Sequence, residues 1–182
     1  MTSSATSAMS SAVEDGRVLV LQRVFKAPRA LVFDAFTQAE HLRRWWGPRG
    51  WEMPVCTVDL RPGGQWHYCM KCVDPAQGEF YGMESWGLGL YREVEAPARL
   101  VYTDYFSDAE ANITPDLPPT LSTLTFEEVG GGTRVTNRAA YDSAEALKTV
   151  LDMGMLQGVT ETWDRLAEHL EARQNRGPGS GD

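Results

Sequence analysis

The sequence predicts an α+β domain in which a long C-terminal helix packs across a curved antiparallel sheet. One strand and two short helices come first, six strand-like segments follow, and one long amphipathic segment comes last. Consecutive strands with short connections favour an antiparallel arrangement. An apolar sheet face needs a cover, and the last segment is the only element large enough to provide it. We therefore expect that helix to lie across the sheet.

The first elements are predicted between residues 17 and 46. The segment RVLVLQRVFK is rich in Val, Leu and Phe, as strands are. Pro28 is well placed to begin a helix, and the apolar residues after it recur at helical spacing. We expect two short helices with a break near Thr37, and Gly47-Pro48 ends the second.

From residue 52 to residue 140, strand-like segments alternate with turn residues. The turn signals include the Pro-Gly-Gly at 62–64, the Ala-Pro at 96–97 and the three glycines at 130–132. The candidate strands are 53–60, 65–73, 79–95, 99–106, 120–128 and 133–141. With the first strand, they make a seven-stranded antiparallel sheet.

The last segment predicts one long helix from residue 142 to about residue 171. Asp142 followed by Glu145 fits a capping box, and apolar residues then recur along one helical face. Gly154 and Gly158 lie within this helix, where each glycine costs roughly 1 kcal/mol against alanine. Two explanations stay open, which are close approach to a neighbouring element and space left for a ligand.

Length and composition indicate a single globular domain. The chain has 182 residues, of which 42% are apolar and 23% charged. We expect the domain to span 17–171, with a disordered leader at 1–16 and a disordered tail at 172–182. A net charge of −8 argues against a nucleic-acid partner and against an anionic membrane surface. Without a membrane-spanning segment or an export signal, a cytoplasmic location is predicted.

The three cysteines predict free structural thiols. Cys69 and Cys72 have C-x-x-C spacing but lie in a strand-like segment, QWHYCMKC. Residues three apart on a strand point to opposite faces, which suits neither a disulfide nor a shared metal ion. Cys56 has no nearby partner in the sequence. We expect no metal site, and no cofactor-binding motif is present.

Six segments of the chain resemble a known family, the proteins named after the activator of Hsp90 ATPase. This family belongs to the helix-grip superfamily, together with START domains, birch-pollen-allergen-like proteins and polyketide cyclases. The segments occur in the family's order between residues 17 and 171: VLQRVFKAPRALVFDAFT, HLRRWWGP, RPGGQW, YREVEAPARLVYTD, TLTFEEVGGGTRVTNRA and GVTETWDRLAEHL. The resemblance implies a seven-stranded antiparallel sheet gripping a long C-terminal helix, with two short helices after the first strand. It also implies a cavity between sheet and helix, which relatives use for apolar molecules.

The cavity lining is predicted from strand alternation, from the helix face and from the WWGP segment that the resemblance places at the cavity mouth. The predicted residues are Trp45, Trp46, Trp66, Tyr68, Met70, Trp86, Leu88, Tyr102, Phe106, Met155, Gly158 and Val159. In QWHYCMKC, the face that carries Trp66 and Tyr68 is the better inward face. The alternation of the two following strands is left open, because one bulge reverses it.

The segment HLRRWWGPRGW interleaves tryptophan with arginine, as a single-stranded nucleic-acid platform does. The acidic chain and the position at a helix end favour a different interpretation. We expect one tryptophan in the core and another beside the cavity, with the arginines lying outward along the aromatic surface.

Three functions are compatible with these features. The first is binding of a small hydrophobic or aromatic molecule in the cavity, without catalysis. The second is a cyclase- or hydrolase-like enzyme that uses Tyr102 and Asp104 in the same cavity. His41, His67 and His169 are scattered in sequence, and no pair among them is predicted. The third is a protein-interaction module; Hsp90 itself is not favoured as its partner, and homodimerisation is left open.

Overall fold

The computed structural model describes residues 9–175. Within this range the chain forms eight strands and four α-helices, and Pro75–Phe80 adds a short 3₁₀ segment. In chain order the elements are β1 (Ser10–Glu14), β2 (Val18–Phe25), α1 (Arg29–Thr37), α2 (Ala39–Trp45), β3 (Trp51–Val58), β4 (Gln65–Cys72), β5 (Glu84–Glu95), β6 (Arg99–Ser107), β7 (Thr120–Val129), β8 (Gly132–Ala140), α3 (Ala144–Asp152) and α4 (Met155–Asn175). No helix among the described residues is long and apolar enough to cross a membrane.

All eight strands belong to one antiparallel sheet with the order β1-β2-β8-β7-β6-β5-β4-β3. Strands β3 to β8 follow one another as neighbours in the sheet. β2 pairs with β8, so the N-terminal hairpin lies beside the last strand of the chain. The helix-grip fold predicted from the sequence is confirmed, with one strand more than the seven expected.

The additional strand is β1, which pairs with β2 from Ser10 opposite Gln22 to Glu14 opposite Val18. The expectation of a disordered leader over residues 1–16 is therefore wrong from residue 10 onward, and residues 1–8 lie outside the described range. Asp15 and Gly16 take positive φ values of 53° and 73° in the connecting turn. An Asp-Gly pair between two strands is a hairpin signal, and this signal was present in the sequence.

The C-terminal segment forms two helices, α3 and α4, instead of the single helix predicted. The break lies at Gly154, whose φ of +85° is a left-handed conformation that interrupts the helix. The cap also differs from the prediction, because Ser143 Oγ accepts the amide hydrogen of Ala146 at 3.0 Å and Asp142 lies outside the helix. α4 continues to Asn175, beyond the predicted end at residue 171, and residues 176–182 lie outside the described range.

The core lies between the inner face of the sheet and helices α1, α2 and α4. Rings of Phe36, Phe126 and Trp163 meet edge to face there, with centroids 5.5 Å and 6.2 Å from that of Phe36. Trp45 is fully buried, and its indole N–H donates to the Ala35 carbonyl at 2.9 Å. Trp45 is thus a core residue that ties α2 to α1.

A buried histidine pair joins α2 to α4. His41 Nδ1 and His169 Nε2 lie 2.8 Å apart, although the residues are 128 positions apart in sequence. The expectation that no two histidines pair is wrong, since only the packing of the two helices brings them together. Burial is the main cause that lowers the pKa of His41; Arg173 and Arg44 lower it further, and Glu40 and Asp34 act in the opposite direction.

The pair predicts loss of stability in mild acid. Because the pKa of His41 is lowered on folding, the unfolded chain binds more protons below about pH 6.5, and stability falls as the pH drops through that region. We expect His41→Gln to reduce this loss between pH 7.5 and 5.5, as measured by urea denaturation. His67→Gln, which changes a half-exposed histidine, serves as the control. An unchanged acid dependence in His41→Gln would contradict the prediction.

Candidate functional site

A cavity of about 370 Å³ lies between the inner face of β4–β6 and the junction of α3 with α4. Strands supply its floor and the two helices its roof. It is lined by Pro48, Tyr68, Met70, Ser85, Trp86, Gly87, Asp104, Tyr105, Phe106, Thr120, Tyr141, Val150, Met153, Gly154, Met155 and Gly158. Met153 at the helix junction is 59% exposed, which places the junction at the molecular surface.

The alternation of β5, which the sequence left open, is decided by Gly87. The register pairs Tyr68 with Gly87 and Gly87 with Phe106, so these three residues share the inner face. A Cβ atom on Gly87 would lie 2.3 Å from Cζ of Tyr68. The Tyr68 ring therefore occupies the space that any side chain at position 87 would need.

Trp86 and Leu88 consequently belong to the outer face, and the prediction that Leu88 lines the cavity is wrong. Leu88 pairs across the sheet with His67, and the Trp86 ring lies 5.2 Å from the His67 ring. The Trp86 indole N–H donates to Glu84 at 3.1 Å. Trp86 still borders the cavity, whereas Leu88 does not contribute to it.

Other predicted lining residues lie behind the cavity wall. The Trp66 ring stacks on Tyr68 at 4.5 Å, and Trp46 and Tyr102 meet Trp66 at 4.7 Å and 5.9 Å. Trp66 and Trp46 both contact the Tyr68 ring directly. Val159 packs against the core, and Trp45 is part of the core itself. Five of the predicted residues line the cavity on its inner side: Tyr68, Met70, Phe106, Met155 and Gly158.

Arg165 on α4 holds the WWGP segment beside the cavity, a role that the sequence did not suggest. One of its guanidinium nitrogens donates to the carbonyls of Gly47 at 2.8 Å and Pro48 at 3.2 Å. Gly47 has a φ of +98°, so the chain turns sharply there. The contact places Pro48 at the cavity wall. Arg49, just beyond it, faces outward and pairs with Glu168.

Asp104 on β6 is the one carboxylate among the described residues of the cavity wall. The Tyr68 hydroxyl donates to it, with distances of 3.2 Å to Oδ1 and 3.3 Å to Oδ2. Burial raises the pKa of Asp104 to about 7, and the hydrogen bond from Tyr68 offsets part of this effect. At neutral pH this carboxyl therefore exists in both protonation states.

The tyrosines around Asp104 stay protonated at neutral pH. Burial first, and the charge of Asp104 second, raise the pKa values of Tyr68 and Tyr102 well above 10. The expected partner of Asp104 was Tyr102, but the Tyr68 hydroxyl binds the carboxylate and the Tyr102 ring packs against Trp66 and Tyr91. The contact between Tyr68 and Asp104 crosses β5, and the small residues of its Gly-Leu-Gly sequence were the signal for it.

The two glycines of the C-terminal segment are not explained by close packing. A Cβ atom on Gly154 or Gly158 would meet nothing within 4 Å. Gly154 instead supplies the left-handed turn between α3 and α4, and Gly158 lies inside α4 and borders the cavity. Of the two explanations that the sequence left open, close approach is wrong for both positions.

The family model described as "Activator of Hsp90 ATPase homolog 1-like protein" matches residues 26–171. The chain belongs to this family. No curated protein matches this family member.

Solved structures of similar proteins agree with the fold. Protein Ms6760 from Mycobacterium smegmatis is 31% identical, covering 93% of this chain and 96% of its own, with a TM-score of 0.75. A Staphylococcus epidermidis protein is 28% identical over 88% of this chain and 93% of its own, with a TM-score of 0.75. An Arthrobacter aurescens protein is 24% identical over 94% of this chain and 93% of its own, with a TM-score of 0.80. This similarity shows likeness of fold alone.

Asp104 predicts an unusual pH dependence of stability. Its pKa is raised on folding, so the folded protein binds more protons than the unfolded chain between about pH 4 and 7, and stability falls as the pH rises through that window. The free energy of unfolding of Asp104→Asn, relative to that of the wild type, should increase by up to roughly 1 kcal/mol per pH unit between pH 5 and 7. Asn keeps an oxygen that accepts from Tyr68.

Urea denaturation at pH 5, 6, 7 and 8 measures this difference. Asp108→Asn is the matched control, because Asp108 is exposed and hydrogen bonds from Asn112 lower its pKa. We expect the difference in free energy of unfolding between Asp108→Asn and the wild type to stay constant over the same pH range. If the difference for Asp104→Asn were also independent of pH, the Asp104 carboxyl would not be desolvated in the folded protein.

We expect alanine substitutions at Gly154 and Gly158 to have opposite effects on the stability of the protein. Gly158→Ala should stabilise the protein by about 0.5–1 kcal/mol, since it improves helix propensity without a steric conflict. Gly154→Ala should destabilise it by roughly 1 kcal/mol, since an L-residue disfavours a φ of +85°. Thermal denaturation of both variants tests this, and a shift of both in the same direction would contradict it.

Proposed function

We propose that this family member binds a small hydrophobic or aromatic molecule in the cavity between the sheet and the C-terminal helices, without catalysing a reaction. The observation that carries the proposal is the cavity of about 370 Å³, in whose wall Asp104 is the single, half-buried carboxyl among the described residues. Ligand sites are typically concave, mostly apolar and several hundred cubic ångströms in volume, with a few polar groups that orient the ligand.

The side chains of the wall support an adaptable apolar site. Met70, Met153 and Met155 approach the cavity from β4 and from the helix junction. Methionine is flexible and polarisable, so such a wall accommodates ligands of different shape. Phe106 and Val150 add rigid apolar surface on opposite sides. This composition favours a molecule whose body is apolar or aromatic.

A second, larger cleft is less suitable for an apolar ligand. It measures about 600 Å³ and lies between β2 and α4. Its wall carries Arg23 and Arg49, which are already paired with Asp164 at 2.7 Å and with Glu168 at 2.6 Å. A ligand there would have to compete with these ion pairs, and the cavity around Asp104 is therefore the better candidate.

Membership of the family agrees with a ligand-binding or accessory fold and specifies no ligand. The enzymatic alternative, the interaction module, the homodimer and the cytoplasmic location stay predictions. A catalytic role would need Asp104 and Tyr68 to act on a bound substrate, since Tyr102 lies behind the wall.

Blocking the cavity at Gly158 tests the proposal. We expect the neutral dye Nile red to gain fluorescence with the wild-type protein, and Gly158→Leu to weaken its binding about tenfold or more. The leucine side chain would extend into space that is open beside Gly158. Gly158→Ala is the matched control, because its single methyl group meets nothing within 4 Å and should leave binding nearly unchanged.

Circular dichroism and thermal denaturation verify that both variants are folded. Equal dye binding by Gly158→Leu and wild type would place the binding site elsewhere. No dye uptake by the wild type, together with no co-purified molecule in native mass spectrometry, would contradict the proposed function itself.

A further inference from the structure

The cavity wall has an asymmetric charge. Among the lining residues within the described range 9–175, Asp104 is the only carboxylate, and there is no lysine, arginine or histidine. The other polar side chains of the wall include the hydroxyls of Tyr68, Ser85, Thr120 and Tyr141, and Trp86 and Tyr105 border the cavity from the outer face of the sheet. In the described chain a half-buried acidic group therefore lies in the cavity wall without a lysine, arginine or histidine among the lining residues.

This arrangement leaves hydrogen-bonding capacity on the carboxylate. An ionised carboxylate accepts about four hydrogen bonds. The Tyr68 hydroxyl is the one donor to Asp104 in the described structure, and it lies at nearly equal distances from the two oxygens. Buried charges in proteins are usually paired, because an isolated buried charge is costly. A positively charged ligand would supply both the missing charge and the missing donors.

Aromatic rings near the carboxylate favour the same kind of ligand. Tyr68, Phe106 and Tyr141 all line the cavity with Asp104. The face of an aromatic ring attracts a cation, and the attraction is strongest where water is excluded. A ligand carboxylate or phosphate would instead meet Asp104 at short range in a medium of low dielectric constant, where like charges repel strongly.

We infer that the ligand is an organic amine, with an apolar or aromatic body in the cavity and an ammonium group that pairs with Asp104. The inference rests on the proposed function and narrows it to one chemical class. It excludes fatty acids and other organic anions as the preferred ligands, since they would place a second negative charge beside the first.

The pairing makes ligand binding depend on pH. A bound ammonium favours the ionised form of Asp104, so binding below about pH 7 releases a proton and becomes tighter as the pH rises. The titratable groups facing Asp104 are Tyr68 on β4, Tyr102 on β6 and Tyr141 after β8, and raised pKa values keep all three protonated in this range. The α3–α4 junction adds only Val150, Met153, Gly154, Met155 and Gly158, which carry no charge.

The test compares three ligands that share one indole ring system: tryptamine, tryptophol and indole-3-acetate. They present an ammonium, a hydroxyl and a carboxylate at similar reach, and each is titrated against bound Nile red. We expect tryptamine to displace the dye at roughly one-tenth of the tryptophol concentration at pH 8, and indole-3-acetate to be the weakest. The advantage of tryptamine over tryptophol should shrink between pH 8 and pH 6.

Two variants distinguish the effect of the Asp104 carboxyl on ligand preference from the effect of the protein's net negative charge. Asp104→Asn should lose the preference for tryptamine, so that tryptamine and tryptophol displace the dye at similar concentrations. Asp108→Asn removes one negative charge from the nearby surface and should keep the preference, because Asp108 is exposed and is not part of the cavity wall.

Equal displacement by the three compounds, displacement by none of them, or a preference that survives in Asp104→Asn would overturn the amine inference. In each case dye binding that is sensitive to Gly158→Leu would leave the proposed function standing. Loss of dye binding from the wild type would instead remove both, so the two failures are distinguishable.

Discussion

The contact between the Tyr68 ring and the backbone of Gly87 is the steric constraint on which the site depends. A side chain at position 87 would overlap the ring, so the inner face of β5 must present glycine where β4 presents tyrosine. This contact sets the alternation of β5 and, through the cross-strand pairs, that of β6. It also allows the Tyr68 hydroxyl to reach across β5 to Asp104. A larger residue at position 87 would displace the ring and remove the donor.

The Asp104 carboxyl in the cavity wall reduces the stability of the folded protein. Asp104 is held in an environment that disfavours its charge, and burial is the main cause of its raised pKa. A neutral polar residue would fit the same place at lower cost, which is why stability is expected to rise on replacement. Groups that reduce stability without a structural benefit are typical of binding and catalytic sites. This contrast is the physical argument for treating the Asp104 cavity as functional.

The roof of the cavity depends on how the last two helices are fixed. The left-handed residue Gly154 separates α3 from α4 and lets both approach the cavity. α4 is then held by Arg165, which binds the turn after α2, and by the buried contact of His41 with His169. Both contacts join α4 to the segment 39–51. The segment that forms one edge of the cavity is thus fixed by the helix that forms its roof.

Sequence alone determined the fold class, the order of the elements from β2 to β8 and the inward face of β4. Alternation along QWHYCMKC and helical periodicity near the C-terminus are local patterns, and local patterns are visible in a sequence. The Asp-Gly turn before β2 and Gly154 were also visible, but their effects depend on a positive φ that competes with strand and helix continuation. Only tertiary structure decided that Gly87 faces inward, that Tyr68 binds Asp104 and that His41 meets His169. Each of these contacts joins residues from different elements, and a contact of this kind depends on register and packing that no local pattern encodes.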